Sequence, residues 1–281
     1  MSPFVILLVL AAAAMHAVWN ALVKAGNDKL VMQCLVMFFA GVPAIPFLAF
    51  LPLPAPAAWP FLALSLAVHA VYYVTLINAY RYGALSQVYP IARGAAPLMI
   101  ALGAWAFAGE AMSGLEWLGI AVACAGIMSL AAPGGLPRDE EVKAIGFALA
   151  TAITIALYSL ADGIGVRRAE NALSYIMWLL ALDAVPVLLA GLWLRRGRVV
   201  ASFRPHLALA AAGGLLSALG YGIVIWAMER APLAHVSALR ETSVILAAII
   251  GATLMGEGFG RRRILAAVLV AGGNALLHAA G

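Results

Sequence analysis

Two arginines lie inside long apolar stretches of the sequence, where a charged side chain is costly. Arg93 stands about eight residues into one stretch, and Arg240 lies about equally far into another. Eight residues of helix at 1.5 Å per residue correspond to roughly 12 Å of depth. A guanidinium at that depth is suited to bind a carboxylate or phosphoryl group through paired hydrogen bonds. The alternative is a structural ion pair, with Arg240 beside Glu241 and Arg93 opposite an acid of another segment.

A polar stripe runs along the first apolar stretch. His16, Asn20 and Lys24 recur every four residues with Trp19 alongside, so they share one face of a helix. Such a face requires a water-filled cavity or a polar partner. We predict that His16, Trp19 and Asn20 line a substrate site, with interhelical hydrogen bonding as the alternative. Lys24 is interpreted as a helix-end residue whose ammonium reaches the membrane surface.

Tyrosines inside other apolar stretches extend the predicted site. A tyrosine buries an apolar ring and still offers one hydroxyl, which suits a pocket for a small solute with polar and apolar parts. Together with Glu241, which adjoins Arg240, the predicted substrate-binding tyrosines are Tyr73, Tyr89, Tyr158 and Tyr221.

Two aspartates are candidate proton carriers. Asp183 falls in the middle of an apolar stretch, where an acid either carries a proton or pairs with an arginine. Asp162 lies near the end of another stretch, and a surface pair with Arg167 or Arg168 is its alternative. His16 is the third titratable group that we expect near the cavity.

Composition assigns most of the chain to a lipid environment. Of 281 residues, 65% are hydrophobic and only 10% are charged, whereas soluble domains carry about 25% charged residues. A membrane-spanning helix needs roughly 20 apolar residues. Ten such stretches occur, approximately at 3–24, 30–51, 60–81, 85–108, 114–132, 143–166, 172–194, 205–228, 233–255 and 262–279. We predict ten transmembrane helices, since strands of a β-barrel would alternate every second residue.

The two halves of the chain share one plan. A shift of 147 residues superimposes Arg93 on Arg240, Gly109-Glu110 on Gly256-Glu257, and Gly126 on Gly273. Five spans in each half is an odd number, so the second copy must be inverted relative to the first, as in many transporters. We predict a first repeat at 1–134, a connecting loop at 135–143 and an inverted second repeat at 144–281.

Ten spans, the repeat and the Gly-Glu after the fourth and ninth spans resemble the EamA-type transporters of the drug/metabolite transporter superfamily. The resemblance implies a central site lined by the first, third, fourth, sixth, eighth and ninth spans, with the fifth and tenth in packing or dimer contacts. Relatives carry amino acids, other metabolites, sugars or drugs. The family often has proline inside both the fourth and ninth spans. Here Pro90 and Pro97 lie in the fourth and none follows Pro232 in the ninth, so the halves are expected to bend differently.

The expected function is secondary transport of a small polar metabolite, amino-acid-like and zwitterionic or anionic, by alternating access with proton coupling. We expect a multi-pass protein of the inner (plasma) membrane, with the lipid bilayer and a small-molecule substrate as partners, a homodimer as a further option, and no nucleic acid. No cofactor or metal is expected, because Cys34 and Cys124 form no ligand pattern and no phosphate-binding loop or zinc motif occurs. The alternatives are an intramembrane enzyme acting on a lipid-linked substrate and an exporter of drug-like amphiphiles.

The distribution of basic residues predicts the orientation. The connections after odd-numbered spans hold twelve: Lys24, Lys29, Arg81, Arg138, Lys143, Arg195, Arg196, Arg198, Arg204, Arg261, Arg262 and Arg263. The side that bears the termini holds three: Arg167, Arg168 and Arg230. Because short cytoplasmic loops are rich in Lys and Arg, the count favours termini outside the cell, whereas the family resemblance favours termini inside.

Overall fold

The computed structural model describes residues 1–25, 29–83, 85–131, 139–195, 207–254 and 260–279. Regular structure in these ranges is helical, without a strand. The helices are α1 (Pro3–Ala25), α2 (Lys29–Gly41), α3 (Trp59–Tyr82), α4 (Leu85–Phe107), α5 (Gly114–Met128), α6 (Asp139–Arg167), α7 (Ala172–Arg195), α8 (Leu207–Arg230), α9 (Leu233–Arg240), α10 (Thr242–Leu254) and α11 (Arg261–Ala279).

Short 3-10 helices extend or precede some of these elements. Val42–Ala49 continues α2, Pro56–Ala58 precedes α3 and Ser129–Ala131 continues α5. Pro46 lies inside the first of these. It has no N–H to donate to the carbonyl four residues earlier, and this missing hydrogen bond favours the change from α-helix to 3-10 helix here.

Eight helical segments in the described residues are long and apolar enough to cross a membrane. They are the first eight spans, α1 to α8 with their 3-10 extensions. The pair α9–α10 forms the ninth span and α11 the tenth. The predicted fold class, an all-α membrane protein of ten helices in two inverted five-helix repeats, is confirmed. The boundaries 1–134, 135–143 and 144–281 stay a prediction, and residues 132–138 lie outside the described residues.

The packing of the helices follows the internal repeat. The repeat relates α1 to α6, α3 to α8, and α4 to α9–α10. Helix α1 packs on α8, and the related pair, α6 and α3, also packs together. Helix α4 packs on α6, while α10 and α9 pack on α1, which is again a related pair. Because these contacts join one half to the other, the two halves share one core.

Helices α5 and α11 cross where both carry glycine. A Cβ on Gly119 would lie 2.6 Å from the carbonyl oxygen of Gly273, and one on Gly273 would lie 2.5 Å from that of Gly119. The 147-residue shift takes Gly119 to Ala266 and Gly126 to Gly273, and a Cβ on Gly126 would lie 3.2 Å from the Ala266 carbonyl. The two helices therefore approach each other closely at two places, which the repeat relates to each other. Small residues permit it, as they do in other membrane helix pairs.

Gly109-Glu110, the first Gly-Glu of the repeat, follows the C-terminus of α4 and contacts the N-terminus of α9. Gly109 has φ +69°, which favours glycine, and the Glu110 N–H donates to the Ala104 carbonyl at 3.1 Å. Both carboxylate oxygens of Glu110 accept the Leu233 N–H at 2.9 Å. Glu110 thereby supplies a negative charge at the N-terminus of α9, where a helix favours one. Gly256 and Glu257, the second copy, lie outside the described residues.

Arg167 extends this connection to two more helices. Its Nη2 lies 2.8 Å from Glu110 Oε1 and donates to the Ala231 carbonyl at 2.8 Å. Its Nε donates to the Met228 carbonyl, also at 2.8 Å. The contacts join the ends of α4, α6 and α8 to the start of α9. Four of the helices expected to line the site are thus fixed to one another on the side that bears the termini.

The ninth span, which we predicted as one helix from 233 to 255, is interrupted at Glu241. The Glu241 N–H donates to the Ala238 carbonyl at 3.2 Å, and the Thr242 hydroxyl donates to the Leu239 carbonyl at 2.8 Å. Helix α4 runs unbroken through both of its prolines. The halves do differ, but the break falls in the span without an internal proline. Interrupted helices at mid-membrane are common at transporter binding sites.

Candidate functional site

The centre of the site is an ion pair between the two halves. Arg93 of α4 reaches Glu241 at the break between α9 and α10, with Nη2–Oε1 at 2.8 Å and Nε–Oε2 at 3.0 Å. The side chains are 6% and 1% exposed. The Nε contact is a charge-assisted hydrogen bond, which is stronger than one between neutral groups. The structural ion pair that we considered as the alternative for Arg93 is therefore present, with Glu241 as the acid.

Among the described residues, the acid that Arg240 contacts is one that Arg93 also contacts. Its Nε lies 3.9 Å from Glu241 Oε1, the oxygen that Arg93 already contacts, and its side chain is 6% exposed. This group of three side chains holds two positive charges and one negative charge. A buried charge without a counterion is unfavourable. A bound anion would balance Arg240.

Helix α1 places His16 in the field of both arginines. Arg93 and Arg240 each act electrostatically on the imidazole. Trp19 Nε1 donates to His16 Nδ1 at 3.3 Å, and Asn20 Nδ2 donates to the His16 backbone carbonyl at 2.7 Å. Trp19 and Asn20, two of the three residues predicted on α1, thus both hydrogen-bond to the third, His16. His16 is the α1 side chain that the structure brings to the arginines.

Tyr89 stands one turn before Arg93 on α4. It is half-buried and lies within electrostatic range of Arg93, Glu241 and Arg240. Its ring packs against Ile127 among other apolar residues of α5, α10 and α11. The hydroxyl therefore belongs to the charged centre, and the ring belongs to the apolar core beside it.

Asp162 lies deep inside the protein and does not pair with Arg167. It is fully buried, and its carboxylate accepts hydrogen bonds from Tyr175 at 3.1 Å and from Tyr221. Arg167 is occupied by Glu110 and by backbone carbonyls. The surface pair considered for Asp162 is therefore wrong. We considered that pair because Arg167 and Arg168 are close to Asp162 in sequence. In the structure the Asp162 carboxylate faces the interior of the helix bundle.

Asp183 of α7 is the second buried acid. Its Oδ2 accepts a hydrogen bond from Tyr73 at 3.2 Å, and its Oδ1 has no hydrogen-bond partner in the described part of the chain. The described residues place no Arg beside it. Tyr73 and Tyr221, which we predicted to bind substrate, each donate to a buried aspartate. Substrate binding by these tyrosines stays a prediction.

Four side chains from α3, α6 and α8 form an aromatic layer near the arginines and the buried aspartates. Tyr158 stacks on His69 with ring centroids 4.1 Å apart and planes at 21°. Tyr72 and Tyr221 approach Tyr158 edge-on at 5.8 and 6.3 Å. Tyr158 also acts electrostatically on Arg93. We call Arg93 of α4 and Arg240 of α9 the positive pole, and Asp162 of α6 and Asp183 of α7 the negative pole.

The EamA-like transporter family model matches residues 3–132 and again 142–278. This chain belongs to the EamA-like transporter family. A solved structure described only as "Crystal structure of protein" aligns with a TM-score of 0.75 at 18% identity, covering 99% of this chain and 99% of its own. At that identity the likeness shows the fold alone. No curated protein sequence matches the chain.

Membership makes this chain a multi-pass membrane transporter of the drug/metabolite superfamily. Both family matches contribute to the charged centre of this EamA-like transporter, since Arg93 lies in the first and Arg240 and Glu241 lie in the second. The charged centre thus forms between the matched segments.

Two residues of this EamA-like transporter complete the site but were not singled out from the sequence: Ser65 and Tyr175. They join His69 and Tyr72, which the sequence indicates as polar contributions of the third span to the site. Ser65 lies one turn before His69 on α3, and the i, i+4, i+7 spacing of Ser65, His69 and Tyr72 in an apolar span was a usable signal. Tyr175 gave none, because a tyrosine near the end of a span is also typical of a membrane interface.

Proposed function

We propose that this EamA-like transporter carries a small zwitterionic or anionic metabolite, amino-acid-like in size, by alternating access. The observation that supports the proposal most is Arg240, a buried guanidinium whose nearest described acid is shared with Arg93. A substrate carboxylate or phosphoryl group would supply the missing negative charge and use the donor geometry of arginine. We propose the inner (plasma) membrane as its location.

The negative pole favours a zwitterion over a simple anion. Tyrosine hydroxyls that donate to Asp162 and Asp183 occupy part of the hydrogen-bonding capacity of these acids. A substrate with a carboxylate at Arg240 could direct an ammonium toward these acids. Its apolar part would then lie against Tyr158 and Tyr221, which suit a small amphiphilic solute.

The packing supports alternating access. Related helix pairs, α1 with α8 and α6 with α3, make the same type of contact in the two halves. A bundle built this way can adopt a second arrangement in which the halves exchange roles, opening the site to the other side. The Glu110–Arg167 contacts at the side of the termini would have to separate in one of the two states.

Protons are the proposed coupling ion. The buried titratable candidates remain Asp162, Asp183 and His16. A buried acid in a transporter is a common proton carrier, because its protonation removes a costly charge. The other two functions, an intramembrane enzyme and an exporter of drug-like amphiphiles, remain outcomes of the tests. The family is one of transporters, which weighs against the enzyme.

A thermal-shift screen of the purified protein tests the substrate class. Amino acids, organic acids, phosphonates and amines would each be added at high concentration. A ligand at 100 times its Kd stabilises a protein by about 2.7 kcal/mol. We expect zwitterions or anions to raise Tm and amines alone to leave it unchanged.

Two variants give this screen its control. Arg240→Lys keeps the positive charge but loses the guanidinium fork, so the Tm shift should disappear. Arg230→Lys alters a half-exposed arginine that pairs with Glu229 at the surface and should keep the shift. A response to lipophilic cations alone, or a shift that survives Arg240→Lys, would contradict the proposed substrate class.

A further inference from the structure

His69 of α3 lies among the acids of the other half. The side chain is buried, 6% exposed, and tyrosine rings connect it to both acids. Tyr221, whose ring lies 6.2 Å from the imidazole, donates to Asp162. Tyr72, 6.4 Å from the imidazole, packs on Tyr73, which donates to Asp183. Neither carboxylate has a Lys or Arg within ion-pairing distance in the residues that the structure describes. Among those residues, His69 is a basic side chain placed to balance the two buried acids.

The hydrogen bonds of His69 fix where a proton would bind. Its Nδ1 lies 2.9 Å from the backbone carbonyl oxygen of Ser65. A carbonyl oxygen only accepts, so Nδ1 carries the hydrogen and Nε2 is the nitrogen left to take up a second proton. The Ser65 hydroxyl, 3.3 Å from Nδ1, also lies beside Asp162. With Nδ1 already a donor, this hydroxyl is free to donate toward the carboxylate.

The charges of this group require protons. With His69 neutral and both aspartates ionised, the region would bury two negative charges. Such an arrangement is strongly unfavourable without counterions. A proton on Nε2 or on either carboxyl group would relieve it. Where buried groups interact through shared neighbours, the protons belong to the set and not to one residue.

We propose that His69, Asp162 and Asp183 form one shared proton-binding site, in which His69 links the two acids. The titratable and charged groups that face it are Tyr72 and Tyr73 of α3, Arg93 of α4, Tyr158 of α6, Tyr175 of α7, Tyr221 of α8 and Arg240 of α9. Each tyrosine that contacts an aspartate donates to it, which leaves proton uptake to the three named residues.

The same histidine connects this site to the positive pole. Its ring stacks on Tyr158 at 4.1 Å, and Tyr158 lies within electrostatic range of Arg93. A change of charge at His69 therefore alters the environment of the Tyr158 ring. The use of this connection in coupled transport rests on the proposed function, whereas proton binding itself can be measured without a substrate.

Infrared difference spectroscopy of the purified protein across a pH series tests the proposal. The carboxylic-acid C=O stretch reports protonated Asp. We expect the wild-type band to lose intensity in Asp162→Asn and in Asp183→Asn. His69→Asn keeps a donor for the Ser65 carbonyl but cannot take up a proton, and in this variant the band should persist to higher pH by at least about one pH unit. His69→Gln serves as a second variant if His69→Asn does not fold.

A matched control is His278→Gln, because His278 lies on α11, outside the aspartate cluster, and should leave the titration unchanged. A band that titrates alike in the wild type and in folded His69 variants would overturn the proposal. So would a band that responds to sodium at fixed pH and not to pH. If the ligand screen finds no zwitterion or anion while the His69 variants shift the band, the substrate proposal fails and the proton site stands.

Discussion

Arg93 and Glu241 form an ion pair that joins the two halves of the protein, with a hydrogen bond from Nε to Oε2 at 3.0 Å and a second charge contact between Nη2 and Oε1 at 2.8 Å. The acid stands next in sequence to Arg240, yet it is oriented toward the arginine of the other half. Arg240 is left 3.9 Å from a carboxylate oxygen that is already engaged. This relationship gives the two arginines, which the repeat makes equivalent in sequence, different roles.

The two arginines should respond in opposite ways to replacement by methionine. Arg93→Met leaves Glu241 buried without its partner and should lower the free energy of unfolding by about 3–5 kcal/mol. Arg240→Met removes an uncompensated charge, so stability should be unchanged or higher, while ligand binding is lost. Thermal unfolding in detergent and the ligand-induced Tm shift measure the two effects. Equal destabilisation by both variants would contradict the division of roles.

Conservative variants separate recognition from structure. Arg93→Lys and Arg240→Lys keep the charge and lose the fork, and we expect transport to fall strongly in both while the proteins still fold. Normal transport by both variants would show that the arginines have a structural role alone.

Much of the architecture follows from the sequence because lipid imposes simple rules. A span needs about 20 apolar residues with its hydrogen bonds satisfied internally, so span lengths can be read directly. The 147-residue shift relates Gly126 to Gly273 in the sequence. In the structure these two glycines do occupy equivalent positions at the crossing of α5 and α11. The break at Glu241 could not be foreseen in this way. Glu241, the residue at the break, contacts Arg93 of α4, which is more than a hundred residues away in sequence.

The charged residues of the site were recognisable, but their partners were not. Arg93, Arg240 and both aspartates stand out because each is costly in an apolar span. Which acid meets which base is decided by side-chain direction across helices. Sequence proximity favoured Arg167 for Asp162, and the structure gives Tyr175 and Tyr221 instead.

Two adjacent glycines of α11 provide a test of the packing. A Cβ at Gly273 would lie 2.5 Å from the Gly119 carbonyl oxygen, whereas a Cβ at Gly272 meets nothing within 4 Å. Gly273→Ala should therefore destabilise the protein by about 1–3 kcal/mol, since backbone must move. Gly272→Ala should gain up to about 1 kcal/mol from helix propensity. Thermal unfolding of the two variants checks this, and equal behaviour would contradict the crossing.

The Glu110 contacts should contribute more to stability than a surface ion pair on the same side of the membrane. Glu110→Gln removes the charge that faces Arg167 and the N-terminus of α9, and should cost about 1–2 kcal/mol. Glu229→Gln breaks the pair with Arg230, whose side chain is 43% exposed, and should cost less than about 0.5 kcal/mol. Chemical unfolding of both variants tests the difference. A larger effect at Glu229 would rule out this role for Glu110.

Orientation is predicted from charge alone. With twelve basic residues in the connections after odd-numbered spans and three on the side of the termini, we expect the termini to face outward. A reporter active only in the periplasm, fused after Gly281, should give signal. A reporter fluorescent only in the cytoplasm, fused at the same place, should not. The reverse pattern would place the termini inside, as the family resemblance implies.

The most direct test of the account is solute flux. Purified protein in sealed liposomes would be supplied with a radiolabelled amino-acid mixture, first at equal pH on both sides and then with an imposed pH gradient. We predict protein-dependent uptake that the gradient changes, that Arg240→Lys abolishes and that Arg230→Lys leaves intact. Uptake no greater than in empty liposomes, or equal uptake by wild type and Arg240→Lys, would contradict the account.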